Sequence, residues 1–211
     1  MTKDNSHHKQ VAAGIRYLRK TDKKLAAIIR RVGPLYYKSK RVGFEALVHI
    51  ITGQQLSGKA AESIFQRLRA ATPNRRITQE GLAGLDDSAL RLAGMSNAKV
   101  RAIRDLIAKC KSGQLNIRRF QFMSDEEVAQ AITSVKGLGP WSAHMYLMFV
   151  LVRLDVFSGG DLGIQKAIGR LYGVDRKRTD FQAFGDRWKP YRTLACWYLW
   201  ASLDNASDKK K

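Results

Sequence analysis

Cysteine is scarce, with only Cys110 and Cys196 in 211 residues and no CxxC spacing. That scarcity excludes a disulfide scaffold, a structural zinc site and a cysteine-ligated iron-sulfur cluster. Both thiols are expected as small, buried apolar residues. Histidine is equally thin: two of the four lie in the opening stretch, so no ligand cluster can be assembled. Neither a catalytic metal nor a cofactor is expected. Long apolar runs are missing as well. The longest, MYLMFVLV from Met145 to Val152, has eight residues, against the roughly 20 needed to span a bilayer. No membrane partner is expected, and the opening MTKDNSHHKQ has no apolar centre to act as a secretory signal.

Acidic residues are in short supply too, 18 against 38 Lys and Arg, a net charge of +20. Such an imbalance calls for a polyanionic partner, nucleic acid first. The basic residues recur from Arg16 to Arg31, Lys99 to Lys111 and Lys166 to Arg178. A disordered basic tail would gather them at one end, so the folded surface itself is expected to be positive. The expected location follows the partner: the nucleus of a eukaryote, or the cytoplasm and nucleoid of a prokaryote, without secretion.

Strand-like alternation is hard to find, and helical spacing takes its place. Phe44, Leu47, Val48 and Ile51 form one stripe, and Val128, Ala131, Ile132 and Val135 another. Ser124 and Glu127 make a capping box, and Ser96 opens a helix that Gly113 can close. These signals predict an all-α protein of roughly nine to eleven helices, given typical helix lengths. Between Thr72 and Ser96 turn residues crowd around short helical pieces. The polar ends, residues 1–9 and 206–211, read as loosely ordered tails.

One rigid turn interrupts this pattern, TSVKGLGPWSAH from Thr133 to His144. Gly137 and Gly139 supply turn freedom, and Pro140 suits the first turn of a following helix. The expected motif is helix, hairpin, helix. Amides around Gly137, Gly139 and Trp141 would then face outward at a positive helix N-terminus, where a phosphate oxygen can accept their bonds without regard to base sequence. Lys136 and Ser142, flanking the turn, favour an anion rather than an ordinary bundle connection.

The stretch VKGLGPWSAHMYLMFVLVRLDVFSGGDLGIQKAIGRLYG resembles the helix-hairpin-helix DNA glycosylase superfamily, most closely its alkylated-purine branch. ITGQQLSGKAAESIFQRL, LAGMSNAKVRAIRDLIAK and WKPYRTLACWYLW resemble further family segments in the same order, so residues 12–203 are covered. The resemblance implies two helical subdomains flanking a DNA-binding cleft: about 44–145, with the hairpin at 133–144, and about 10–43 with 146–205. It also implies a monomer acting on double-stranded DNA with alkylated bases. The chemistry is hydrolysis of the N-glycosidic bond after base flipping, with 3-methyladenine and 7-methylguanine the expected leaving bases.

By the same resemblance Asp161 is the catalytic carboxylate, a residue that its own context also makes a good N-cap for a helix starting at Leu162. Relatives often have an acidic residue or proline just before it, where Ser158, Gly159 and Gly160 stand here. Gln54, Trp141, Trp188 and Tyr191 are the base-pocket candidates, although Trp188 and Tyr191 also fit a C-terminal core. Gln55 occupies the position that enters the minor groove, and Ser57, Lys59, Lys99, Lys136, Gly137, Gly139 and Ser142 are the DNA-contact candidates. Strand-cutting relatives use a hairpin lysine as nucleophile; the matching residue is Trp141, which implies no lyase step. A non-catalytic binder of abasic or damaged DNA is the alternative.

Overall fold

The computed structural model of the chain describes residues 3–35 and 41–207. Among these residues every regular element is helical, twelve α-helices and three 3-10 segments. The surplus over the expected count comes from helices of four to six residues, too short for periodicity to show. The chain divides into two compact units, one formed by Met1–Tyr37 with Arg153–Lys211 and the other by Lys38–Val152.

The discontinuous unit begins with α1 (Lys3–Thr21) and α2 (Lys23–Val32). α1 starts inside the stretch that composition reads as a loose tail, which corrects that expectation. Val11 and Leu18, seven residues apart, are buried and anchor its second half; once a helix is nucleated, each added polar residue costs little. Asp22 separates the two helices, and its Oδ1 accepts from the amides of Lys24 and Leu25, capping α2.

The continuous unit holds α3 (Gly43–Gly53), α4 (Gly58–Ala71), α5 (Gln79–Ala83), α6 (Asp87–Leu92), α7 (Asn97–Lys111), α8 (Asp125–Thr133) and α9 (Pro140–Phe149). The α3 stripe of Leu47, Val48 and Ile51 is fully buried, as are Val128 and Ile132 of α8. Ser96 caps α7, Gly113 follows it with φ +78°, and the Ser124–Glu127 box opens α8. α9 has no polar face and is packed by α3 and α8, with Ala143, Tyr146, Leu147 and Met148 buried. It is the post on which the hairpin stands.

The chain then completes the first unit with α10 (Leu162–Tyr172), α11 (Phe181–Phe184) and α12 (Arg192–Ser207). Leu194 to Leu199 are six consecutive buried residues of α12, surrounded by α1, α2 and α10. This helix extends into the expected C-terminal tail; the rest of that tail, 208–211, lies outside the described residues. Cys196 is buried, as expected, and burial pushes its thiol up to about 12. Cys110 departs from expectation. It is half-buried at the end of α7, on the wall of a cavity of about 900 Å³ shared with Phe44, Leu115 and Tyr146. No helix among the described residues is long and apolar enough to cross a membrane.

Candidate nucleic-acid interface and carboxylate site

The hairpin is built from local geometry. Gly137 has φ +82°, and a Cβ there would lie 3.3 Å from that of Ala102, so both backbone and space favour glycine. Gly139 differs: its φ is −112°, and a Cβ would meet nothing within 4 Å. Its lack of a side chain leaves the surface bare rather than permitting the turn. The Leu138 amide closes onto the Val135 carbonyl at 3.0 Å, and the amides of Ser142 and Ala143 return to the Gly139 carbonyl. Among the described residues the Gly137 and Gly139 amides donate to no protein acceptor, which suits them to an anion.

Three side chains brace this turn. Gln54 Nε2 donates to the Gly137 carbonyl at 2.8 Å and to Ser142 Oγ at 3.2 Å. Asp105 Oδ2 accepts the Lys136 amide at 2.8 Å, a support that sequence reading missed because Asp105 is a lone acid in a basic helix. Ser142 needs correction as a DNA contact. It is 1% exposed, so its hydroxyl faces Gln54 beneath the turn. The Lys136 residue is exposed, and Trp141 is half-buried in the first turn of α9.

The GQQLS segment links α3 to α4. Gln55, Leu56, Ser57 and Lys59 are exposed, and Gln55 holds φ +58°. A non-glycine residue in the left-handed region costs about 1–2 kcal/mol and is most at home at functional sites. Ser57 has an additional task, accepting from the Ala60 amide as N-cap of α4. Lys99 donates from Nζ to the Thr52 carbonyl at 2.7 Å. Its ammonium thus sits at the negative end of α3, and burial pulls its pKa below the usual lysine value. This intramolecular bond is a task that sequence reading did not give it.

The carboxylate site belongs to the other unit. Asp161 N-caps α10, with Oδ1 accepting the Ile164 amide at 2.9 Å. The same oxygen accepts Trp200 Nε1–H at 2.9 Å. The loop that departs from the usual pattern is held by two glutamines: Gln165 Nε2 donates to the Gly159 carbonyl at 2.9 Å, and Gln182 Oε1 accepts the Gly159 amide at 3.3 Å. A Cβ at Gly159 would lie 2.8 Å from the Gln182 backbone nitrogen, so glycine is what lets this loop approach α11. Asp155, the other acid nearby in sequence, pairs with Arg192 through both oxygens, at 2.8 and 3.1 Å.

Trp188 is corrected. It is 0% exposed and packs among Phe157, Tyr172 and Phe184, with ring centroids within 6.0 Å. Its Nε1–H donates to Asp22 Oδ2, which also accepts the Tyr172 hydroxyl. This indole is core, not pocket: its ring is fully buried and the half-buried Asp22 carboxylate satisfies its one polar atom. Tyr191 lies against Tyr17 of α1 at 5.5 Å and is half-buried. Trp200 was missed: α12 is apolar almost all round, so no periodicity marks one of its tryptophans.

Comparison with known proteins gives this geometry a setting. The family model described as HhH-GPD superfamily base excision DNA repair protein matches residues 48–193. DNA-3-methyladenine glycosylase 1 of Schizosaccharomyces pombe is 29% identical over 182 residues, covering 84% of this chain and 80% of the relative. A Bacillus halodurans DNA-3-methyladenine glycosidase structure superposes with TM-score 0.77 at 34% identity, covering 92% of this chain and 91% of that one. An S. pombe 3-methyladenine DNA glycosylase bound to abasic DNA superposes with TM-score 0.81 at 27% identity, covering 89% and 95%.

Proposed function

The chain belongs to the HhH-GPD superfamily of base excision DNA repair proteins, and from that premise we propose that it is a monofunctional DNA glycosylase acting on alkylated purines. The supporting observation is the fixed carboxylate of Asp161, held by the Ile164 amide and the Trp200 indole.

In this reading the Gly137 and Gly139 amides take a phosphate oxygen of double-stranded DNA, and the damaged nucleotide leaves the stack at a cost of a few kcal/mol. Gln55 stands at the loop position that fills the gap. A purine alkylated at N3 or N7 carries positive charge, so its glycosidic bond is already weakened. That charge also attracts it to an electron-rich ring, for which Trp141 is the candidate, at about 0.5–2 kcal/mol per ring. The bond between C1′ and the base nitrogen breaks with its electron pair going to the base, which departs neutral. The sugar becomes oxocarbenium-like, and the Asp161 carboxylate stabilises it. Water adds at C1′ and loses a proton, leaving an abasic site. The hairpin position used by strand-cutting relatives holds Trp141, which offers no amine, so no strand cut follows.

The test is to incubate the protein with methylated duplex DNA and measure free 3-methyladenine and 7-methylguanine beside an Asp161→Asn variant. Release by the wild type and a loss of about a hundredfold or more in the variant are expected, the scale for removing one electrostatic stabiliser. No release together with tight binding to an abasic duplex would favour the non-catalytic binder. We further propose that the protein works as a monomer wherever the cell keeps its DNA.

A further inference from the structure

Asp161 is positioned by more than its own helix. Its Oδ1 receives two N–H donors, one from Ile164 in the helix that it caps and one from Trp200, 39 residues later in α12. Glycine at 163 leaves room for the indole's close approach. A Cβ at Gly163 would lie 3.0 Å from Asp161 Oδ1 and 3.1 Å from both Cδ1 and Nε1 of Trp200, tighter than nine in ten such contacts, so the carboxylate or the indole would have to give by a few tenths of an ångström. The φ of Gly163 is not in the left-handed region, so turn geometry does not account for the glycine, whereas this close approach does. Trp200 is itself held, because it follows the fully buried run Leu194–Leu199 of α12, which packs on α10.

We propose that Trp200 is a positioning residue for glycosidic cleavage, acting with Gly163 to fix the rotamer and plane of the Asp161 carboxylate. A helix cap alone leaves a carboxylate free to swing about its terminal torsion, which is broad for aspartate. A second donor from another helix removes that freedom before the substrate arrives, and both N–H dipoles already point at the negative charge that a cationic sugar needs beside it. The inference rests on the reading of Asp161 as the catalytic carboxylate. It is also separable from a purely architectural role, in which the same bond only ties the end of α12 to the start of α10.

The test is single-turnover excision of 3-methyladenine from methylated duplex by Trp200→Phe, Gly163→Ala and Asp161→Asn, with abasic-duplex affinity and melting temperature measured alongside. Phenylalanine keeps a ring and removes the N–H. Trp200→Phe is expected to slow excision about ten- to hundredfold, the effect of losing a hydrogen bond to a charged group, while duplex affinity stays within about twofold. Gly163→Ala should do the same by separating the two side chains, and it decides the matter if Trp200→Phe folds poorly. Wild-type excision by Trp200→Phe beside an inactive Asp161→Asn would overturn the positioning role and leave the Asp161 reading intact. A parallel fall in rate, affinity and melting temperature would assign the bond to architecture alone and also overturn it. Full activity of Asp161→Asn would remove the premise itself.

Discussion

Gln54 offers the sharpest test of how the hairpin is held. Its amide nitrogen bridges the Gly137 carbonyl at 2.8 Å and Ser142 Oγ at 3.2 Å, joining the GQQLS loop to the turn. In Gln54→Ala the exposed Gly137 carbonyl can turn to water, so that bond is cheap to lose. Ser142 is 1% exposed, so its hydroxyl cannot do so as readily. Together the two losses should cost about 1–2 kcal/mol, or roughly 2–8 °C in melting temperature for a chain of this size. Gln54→Glu separates hydrogen bonding from packing. It keeps the volume but sets a carboxylate against a carbonyl oxygen, and adds a negative charge beside the proposed phosphate site. It should melt no higher than the alanine variant and bind an abasic duplex about tenfold more weakly than wild type, in an anisotropy titration at fixed salt. A Gln54→Ala protein that melts with the wild type, together with a Gln54→Glu protein that binds as tightly, would refute the claim that this bridge supports the turn.

Two further outcomes are expected. Gly137→Ala forces a side chain to φ +82° and against Ala102, costing about 1–2 kcal/mol of strain, while Gly139→Ala enters open space at φ −112° and should leave the melting temperature unchanged; the reverse order in thermal melts would contradict the turn geometry. Burial raises the Asp22 pKa, but bonds from the Leu25 amide, Tyr172 and Trp188 outweigh it and hold the carboxyl below its usual 3.8. A lowered folded-state pKa contributes stability above the ordinary value that is lost as pH falls through the folded one. The urea midpoint of the wild type should therefore fall more steeply on acidification than that of Asp22→Asn, and parallel curves would show that Asp22 carries no such linkage.

The elements nearest the proposed chemistry were legible where their bonds are local. Ser96, Ser124 with Glu127, and Asp161 cap helices through partners three residues away, and such contacts are written in adjacent letters. The hairpin followed from Gly137 and Pro140 for the same reason. Even so, Gly139 proved to serve accessibility rather than conformation, which depends on what surrounds a backbone atom. The positive charge was equally plain, since it needs only counting.

What the sequence by itself determined, then, was an all-helical chain, its caps, the hairpin and a surplus of positive charge. The tertiary structure decided which tryptophan touches which carboxylate. Trp188 and Trp200 stand only twelve residues apart in sequence, yet the first is sealed in the core on Asp22, 166 residues away, and the second reaches Asp161, 39 residues away. Likewise Gln54 meets the hairpin across 83 residues. Periodicity identifies a side chain only by contrast between a wet face and a dry one. A helix buried nearly all round, such as α12, presents no contrast, so its polar atoms find their partners only when the other helices close around it.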